Sequence, residues 1–425
     1  MNSNSVYQPI LKFMTWLYNL SISLYSLLIH TTALFNPKAR FFVNGRKNWQ
    51  ENLRNKIEPG ARYLWFHCAS LGEFEQGRPV IEEIKNQMPD YKIVLTFFSP
   101  SGYEIRKNYA LADLIAYLPF DTARNAKTFL TLVKPEKVFF IKYEFWFHYI
   151  EELKKRNIPL FLISAIFREN QPFFKKSPWG KWYRKMLFQF NHFFIQNEDS
   201  AQLLTKIDIN NFTVSGDTRF DRVAAIASSS KLLPIVDKFK GNSQLVIAGS
   251  TWKPDEELLA AFINQTDNIK FIIAPHEVSA SNINRIQQLL KKPSILFSKL
   301  TETEIEKYDV LIIDSIGILS SLYRYGNLAY IGGGFGVGIH NILEAATFGL
   351  PVVFGPNYQK FKEAVELIHL KGAFSISGDK QLEAAFSRLL KDKTTLKNCS
   401  EVCSNYVKNN TGATQVIIKK VFNKS

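Results

Sequence analysis

From residue 60 onward the chain alternates short, wholly apolar runs with amphipathic stretches, and this alternation most constrains its fold. Arg62–His67 (RYLWFH), Lys92–Phe98 (KIVLTFF), Val138–Ile141, Leu160–Ile163, His192–Gln196 and Phe212–Ser215 read as strands with helical segments between them. A second series follows at Gln244–Ala248, Lys270–Ala274, Ser294–Phe297, Val310–Ile313, Ala329–Ile331 and Val352–Phe354. Its helices are expected at Asp255–Asn264, Asn282–Leu290, Ile342–Phe348 and Phe361–Leu370. Strands apolar on both faces, separated by helices, predict parallel sheets covered on both sides. The fold class is therefore α/β: two doubly wound, Rossmann-like domains. Gly216–Pro234 carries no strong strand and joins the two series. In such sheets ligands lie outside the carboxyl ends of the strands, so the cleft between the domains is the expected site.

Ahead of the first series, Ile10–Phe35 is mostly apolar, and Lys38, Arg40, Arg46, Lys47, Arg54 and Lys56 follow it. The length is enough to span a bilayer, while Lys12, Asn19 and His30 weaken a span. A spanning or interfacial anchor is expected, with the basic flank keeping the body on the cytoplasmic side. The domains are then read as 1–36 (membrane-anchoring or interfacial helix), 37–217, 218–402, and 403–425, a C-terminal helix packing back on the N-terminal domain. The 425 residues hold 53 Lys+Arg against 38 Asp+Glu, a formal net charge of +15. Such a balance calls for an anionic partner. No zinc-finger, RNP or helix-turn-helix signature is present, so nucleic acid is the weaker choice. Three cysteines, Cys68, Cys399 and Cys403, make neither a disulfide framework nor a zinc site and read as buried small hydrophobes.

Two motifs carry most of the chemistry. In HCASLGEFEQGRP (His67–Pro79) a strand ends, Ser70-Leu71-Gly72 turns, and Glu73 stands at a helix start, placed to act as a general base. Free N–H groups in that turn are suited to an anion. A helix-start glutamate is also favoured by the macrodipole alone. In IGGGFGVGIHNILEAATFGLP (Ile331–Pro351) a strand runs into a glycine loop and then a helix. Gly332, Gly333, Gly334, Gly336 and Gly338 allow close backbone approach to a phosphate. Asn341 and Glu344 lie in the helix's first turn, where the carboxylate can accept ribose hydroxyls. The loop comes late in its domain and its acid lies within its own helix, which favours a nucleotide-sugar over a dinucleotide cofactor.

Weaker candidates share the same strand-end position: Ser250 and Thr251, His276, Arg219, and Glu144 in IKYEFWFHYI. A paired, buried Glu144 orienting a neighbouring loop is as good a reading as a catalytic one. No two aspartates lie two apart, so the usual metal-holding DxD is absent. No metal site is expected; the leaving group's charge would then be met by helix N-termini and basic side chains.

Taken in order, these motifs resemble the 3-deoxy-D-manno-octulosonic acid (Kdo) transferases, membrane-associated GT-B enzymes of lipopolysaccharide assembly. The resemblance spans nearly the whole chain. It runs through Ser70-Leu71-Gly72-Glu73, Thr96 with Ser101-Gly102-Tyr103, Pro119-Phe120-Asp121 and Glu144-Phe145-Trp146. It continues through Gly216 with Phe220-Asp221, Ser250-Thr251, Asn341 with Leu343-Glu344-Ala345, Gly355-Pro356-Asn357 and Phe361. It implies inverting, metal-independent transfer of Kdo from CMP-Kdo, a co-substrate rather than a cofactor, to the 6′-hydroxyl of a tetraacylated lipid A precursor. The place of action would be the cytoplasmic face of the inner membrane, on its anionic surface. Glu73 would be the general base and Glu144 an essential cleft carboxylate. Ser250, Thr251, His276, Gly333, Gly334, Gly336, Gly338, Asn341 and Glu344 would form the CMP site. Ser70, Gly72, Arg168 and Arg219 would contact acceptor or phosphate. Three departures touch the phosphate contacts: Pro275-His276-Glu277 lacks the family's arginine, Arg219 stands where lysine is common, and Gly334-Phe335-Gly336 replaces a Ser-Leu pair. The alternative is another GT-B nucleotide-sugar enzyme, a UDP-sugar transferase or epimerase. No oligomeric state is implied.

Overall fold

The computed structural model describes residues 3–301 and 305–422, with side chains from Lys12 onward. The chain divides into two compact units, Met1–Arg222 with Gly412–Ser425, and Val223–Thr411.

The first unit holds a seven-stranded sheet in the order β3-β2-β1-β4-β5-β6-β7. Its strands are β1 (Tyr63–Cys68), β2 (Lys92–Phe97), β3 (Leu114–Tyr117), β4 (Lys137–Ile141), β5 (Leu160–Ala165), β6 (His192–Ile195) and β7 (Phe212–Val214). All neighbours pair in parallel. Every residue of β1 and β5 is buried, because crossover helices cover both faces. One face packs Trp65, Phe140, Tyr149 and Phe193. The other packs Leu64, Phe66, Phe139 and Phe161, and is closed by Ile417 and Ile418 of the helix Ala413–Phe422. The strand order reverses between β1 and β4, so the loops after these two strands diverge and leave a crevice at their carboxyl ends.

The N-terminal helix Ser3–Thr32 belongs to this unit rather than standing apart as a span. Among the described residues no helix is long and apolar enough to cross a membrane. That overturns the spanning expectation: Asn19, Ser21, Ser23, Ser26 and His30 dilute the apolar run, and the side bearing Met14, Tyr18 and Ile22 packs on the core. The Tyr18 hydroxyl donates to Asp121 Oδ2 at 2.5 Å. Asp121 also accepts the backbone N–H groups of His148 and Tyr149, each at 3.1 Å. Burial outweighs these donors and pushes its carboxyl up to about 6. Arg46 is not part of an exposed basic flank either. Its guanidinium is buried, donating to the carbonyls of Leu118, Phe42 and Phe98 and lying 3.6 Å from the centre of the Phe42 ring.

The second unit repeats the plan in the order β10-β11-β9-β8-β12-β13-β14. Its strands are β8 (Gln244–Thr251), β9 (Ile269–Pro275), β10 (Ser294–Leu296), β11 (Val310–Ile312), β12 (Leu328–Ile331), β13 (Val352–Phe354) and β14 (Ala373–Ser375). Helices Lys253–Ile263 and Asp379–Lys391 cover a core of Val246, Phe271, Tyr330 and Phe386. Here the order reverses between β8 and β12. The chain leaves the first unit after Arg222 and re-enters at Gly412, later in both cases than 217 and 402. The side chains explain the shift. Arg222 pairs with Glu82 at 3.2 Å, and Asp221 accepts the N–H groups of Gly412 and Thr414 at 2.5 and 2.7 Å, capping the returning helix.

Candidate active site

In the first unit the helix Leu71–Gln87 starts directly after β1, so Glu73 lies in its first turn at the sheet's switch point. Ser70 occupies the N-cap position but does not bond the helix amides; its hydroxyl donates to the Glu73 carboxylate instead. Gly72 is exposed beside it. One turn further, on the same helix face as Glu73, buried Gln76 donates to both oxygens of Asp217 at 3.2 Å. Asp217 in turn pairs with Arg219 at 2.9 Å. The structure thus places Arg219 close to Glu73's helix but commits it to Asp217. Arg168 lies exposed in the loop after β5, with its backbone N–H bonded to Gln171.

Glu144 follows β4, the strand next to β1. It is 6% exposed and held from two sides. Nε2 of fully buried His67 lies 3.0 Å from its Oε2, and the Trp146 indole N–H donates to the same oxygen at 2.6 Å. Nδ1 of His67 lies 2.9 Å from Oγ1 of Thr96, which also accepts the Trp65 indole N–H at 2.7 Å. The imidazole thus bridges the Glu144 carboxylate and the Thr96 hydroxyl, and the Trp146 indole N–H also lies 3.0 Å from its Nε2. Both carboxylates come to one strand edge. The buried Cys68 thiol between them is pushed well above its usual value, by burial first and then by Glu73 and Glu144.

In the second unit Ser250 and Thr251 end β8 at its switch point. Ser250 adopts a left-handed backbone, φ 55°, which a side-chain-bearing residue takes at a cost. Thr251 turns inward: its hydroxyl donates to buried Glu256 at 3.1 Å, and Glu256 pairs with Arg285. His276, at the end of β9, is exposed and stacks on Trp252 (ring centres 4.4 Å apart) and on His340 (4.6 Å). The Trp252 indole N–H donates to His340 Nε2 at 2.9 Å. Burial lowers the His340 pKa, and the neighbouring His276 lowers it further.

The glycine loop after β12 is folded onto itself. Gly333 N–H donates to Asp255, and Gly336 and Gly338 N–H both donate to the Gly333 carbonyl. The glycines answer steric needs. Gly333 has φ +92° and a Cβ there would lie 2.5 Å from the Gly338 oxygen; at Gly334 it would lie 2.6 Å from the Gly355 nitrogen. Asn341 caps the turn through Leu343 N–H and donates to Glu344 at 3.1 Å, so these two form one polar pair. Fully buried Asp255 fixes the loop, accepting from Gly333 N–H and Trp252 N–H at 2.9 Å and from the Tyr330 hydroxyl at 2.7 Å.

His67, Thr96, Trp252, Asp255 and His340 thus support the candidate residues within each unit without having been singled out as binding or catalytic. Only Asp255 left a signal, as an acid three residues after the tryptophan at a helix start. Among the described residues no group of three or more His, Cys, Asp and Glu side chains is arranged to hold a metal ion.

Comparison with known proteins bears on this geometry. Residues 45–222 match the family model of the 3-deoxy-D-manno-octulosonic-acid transferase (kdotransferase). A 3-deoxy-D-manno-octulosonic acid transferase from Aquifex aeolicus is 29% identical over 79% of this chain and 88% of its own length. That of Chlamydia muridarum is 26% identical over 91% and 89% respectively. Among solved structures, UDP-GlcNAc 2-epimerase from Neisseria meningitidis superposes with a TM-score of 0.59 at 16% identity, covering 85% of this chain and all of that one. CalG4, the calicheamicin glycosyltransferase, gives a TM-score of 0.56 at 12% identity, covering 86% of this chain and 100% of that one. These likenesses describe the fold alone. The family model matches the first unit and the relatives align across both, so the chain is similar to the Kdo transferases, which are glycosyltransferases, and it shares the two-domain α/β fold of CalG4.

Proposed function

We propose that the enzyme transfers Kdo from CMP-Kdo to the 6′-hydroxyl of a tetraacylated lipid A precursor, with inversion, in lipopolysaccharide assembly. Glu73 takes the proton of the attacking hydroxyl. One well-placed carboxylate suffices for a single displacement, because no covalent glycosyl intermediate is formed. The observation that carries the reading is Glu73 itself, oriented by Ser70 at the carboxyl end of β1, with Glu144 at the end of the adjacent strand. The second unit holds the cytidylate at the strand ends bearing Ser250, His276 and the Asn341–Glu344 pair. Departing phosphate is met by basic side chains and peptide dipoles rather than by a metal ion or cofactor.

The same reading places the enzyme on the cytoplasmic face of the inner membrane, lying on the surface rather than crossing it. Phe13, Trp16, Leu20, Leu24 and Leu27 are exposed along one face of the N-terminal helix, with Leu34, Phe35 and Phe41 beyond it. Lys38, Arg40 and Lys47 stand exposed nearby in the sequence. An apolar stripe with flanking cations suits an anionic lipid surface. The decisive test is incubation with CMP-Kdo and lipid A precursor, followed by mass analysis of the lipid. A mass gain of one or more Kdo residues is expected. No gain, together with thermal stabilisation by uridine nucleotides only, would replace the reading with that of a UDP-sugar enzyme.

A further inference from the structure

Lys142 occupies a position that the assigned roles leave unexplained. It is the first residue after β4, two before Glu144, and its backbone is left-handed at φ 68°. The conformation is enforced: Lys142 N–H donates to Ile163 O at 3.0 Å, and Tyr143 N–H closes a tight three-residue turn on Ile141 O at 2.9 Å. Glycine would adopt this turn without strain, so a lysine here carries a conformational cost. The turn keeps the side chain half-buried, with Nζ 5.2 Å from the centre of the Tyr143 ring. Among the described residues Lys142 has no ion pair.

The charges around it come from three other elements. Glu73 belongs to the helix after β1, Asp217 and Arg219 to the segment after β7, and Arg168 to the loop after β5. The two carboxylates are already engaged, Glu73 by Ser70, and Asp217 by Gln76 and Arg219. The two guanidinium groups oppose another positive charge. Burial is the largest influence lowering the Lys142 pKa, and Arg219 and Arg168 lower it further, while Glu73 and Asp217 resist. A half-buried ammonium beside the general base, short of an anion, gains most when an anion arrives.

We propose that Lys142 is a substrate-binding residue whose ammonium takes an oxyanion of a bound substrate beside Glu73. The oxyanion is a carboxylate or a phosphate monoester. The transferred sugar supplies the first and the lipid acceptor the second. This rests on the transfer reaction proposed above and names a further contact for it.

The test is steady-state transfer with CMP-Kdo and a phosphorylated lipid A precursor varied separately, from about pH 7 to about pH 10. It compares wild type, Lys142→Gln and Lys142→Arg. Losing a charge-assisted bond predicts that Lys142→Gln raises one KM roughly tenfold or more, with kcat changed far less. A rise for CMP-Kdo identifies the sugar carboxylate, and a rise for the lipid identifies its phosphate. In wild type the same KM climbs with pH as the lysine loses its proton. Lys142→Arg restores the KM at neutral pH and removes the climb, because guanidinium stays charged. Should Lys142→Gln not fold, the wild-type and arginine profiles decide the matter alone. Wild-type transfer with both KM values flat in pH and unmoved by Lys142→Arg or Lys142→Gln overturns the lysine's role. Absence of transfer by wild type overturns the reaction instead.

Discussion

Nε2 of His67 lies 3.0 Å from Oε2 of Glu144, although the two residues are 77 apart in the chain. Parallel pairing of β1 with β4 brings them together, setting His67 opposite Phe140, four residues before Glu144. The imidazole is backed by Thr96 and, through it, by Trp65, so the carboxylate has a fixed orientation inside a fully buried frame. This allows charge and hydrogen bonding at Glu144 to be separated by experiment.

Glu144→Gln keeps a carbonyl oxygen that can accept from both His67 and Trp146. It should cost less than about 1 kcal/mol of stability, yet lower kcat at least about a hundredfold if the negative charge acts on substrate. Glu144→Ala leaves both rings without their carboxylate partner and should cost about 1–3 kcal/mol as well. Urea unfolding and transfer kinetics on the two variants distinguish these effects. Full activity in Glu144→Gln would reduce Glu144 to a brace.

Among the described residues Glu73 has a single side-chain hydrogen-bond partner, Ser70, and its role is tested through that partner. Glu73→Gln should lower kcat by about a hundredfold to ten-thousandfold, the range for loss of a general base. Stabilisation by CMP in a thermal shift should persist, since the substitution lies outside the unit proposed to hold the nucleotide. Ser70→Ala frees the carboxylate from its fixed orientation and should lower kcat by roughly tenfold with the fold intact. A Glu73→Gln enzyme that still turns over at the wild-type rate would exclude this carboxylate as the base.

Such pairings explain what was legible beforehand. The central strands announce themselves because both faces are buried and the runs are uninterruptedly apolar. β3 and β14, at the sheet edges, escaped notice: each keeps partly exposed residues, and neither Leu114–Tyr117 nor Ala373–Ser375 makes an unbroken core run. Strand-end position and the family resemblance singled out Glu73 and Glu144. Their supporting residues could not be read, because His67 meets Thr96 and Glu144 only through sheet register. Arg46 misled for the same reason, since nothing local distinguishes a cation facing solvent from one enclosed by three carbonyls. The glycine loop was recognisable by its residues, but not the fact that Gly333, Gly336 and Gly338 spend their N–H groups within the site.

Asp255 should therefore control the proposed nucleotide site of the second unit without touching substrate. Asp255→Ala removes the buried acceptor of two backbone N–H groups and one tyrosine hydroxyl and should destabilise the protein by about 2–4 kcal/mol. CMP stabilisation in a thermal shift should shrink as the glycine loop loses its tether. Gly333→Ala should act through the same loop, because its Cβ would collide with backbone rather than with a movable side chain. Normal CMP stabilisation in Gly333→Ala would show that the loop lies away from the nucleotide.

The docking of the N-terminal helix carries a pH signature. Asp121 has its pKa raised from 3.8 to about 6 by burial. The native state therefore binds more protons than the unfolded chain between these values, and stability falls as pH rises through that window. The expected loss is up to ~3 kcal/mol from this one group. Asp121→Asn cannot titrate and should flatten the difference between unfolding free energies at about pH 4 and about pH 7, relative to wild type. An unchanged slope would mean that Asp121 is ionised throughout.

The other side of that helix tests the membrane reading. Phe13, Trp16, Leu20, Leu24 and Leu27 recur at steps of three or four, which puts them on one helical face, and all are exposed, Trp16 at 56% and Leu27 at 61%. Tyr18, on the opposite side, is 7% exposed and holds the helix down through Asp121. Replacing Trp16 and Leu24 with serine removes side chains that the folded protein leaves half-exposed, so unfolding free energy should change by less than about 1 kcal/mol. Partitioning onto vesicles containing phosphatidylglycerol should nevertheless weaken roughly tenfold or more, because each large side chain contributes on the order of 1–2 kcal/mol when it enters the interface. Tyr18→Phe should have the converse profile, with lower stability from loss of the hydroxyl's bond to Asp121 and unaltered vesicle binding. Equal vesicle binding by wild type and the Trp16/Leu24 double variant would mean that this stripe is not what meets lipid.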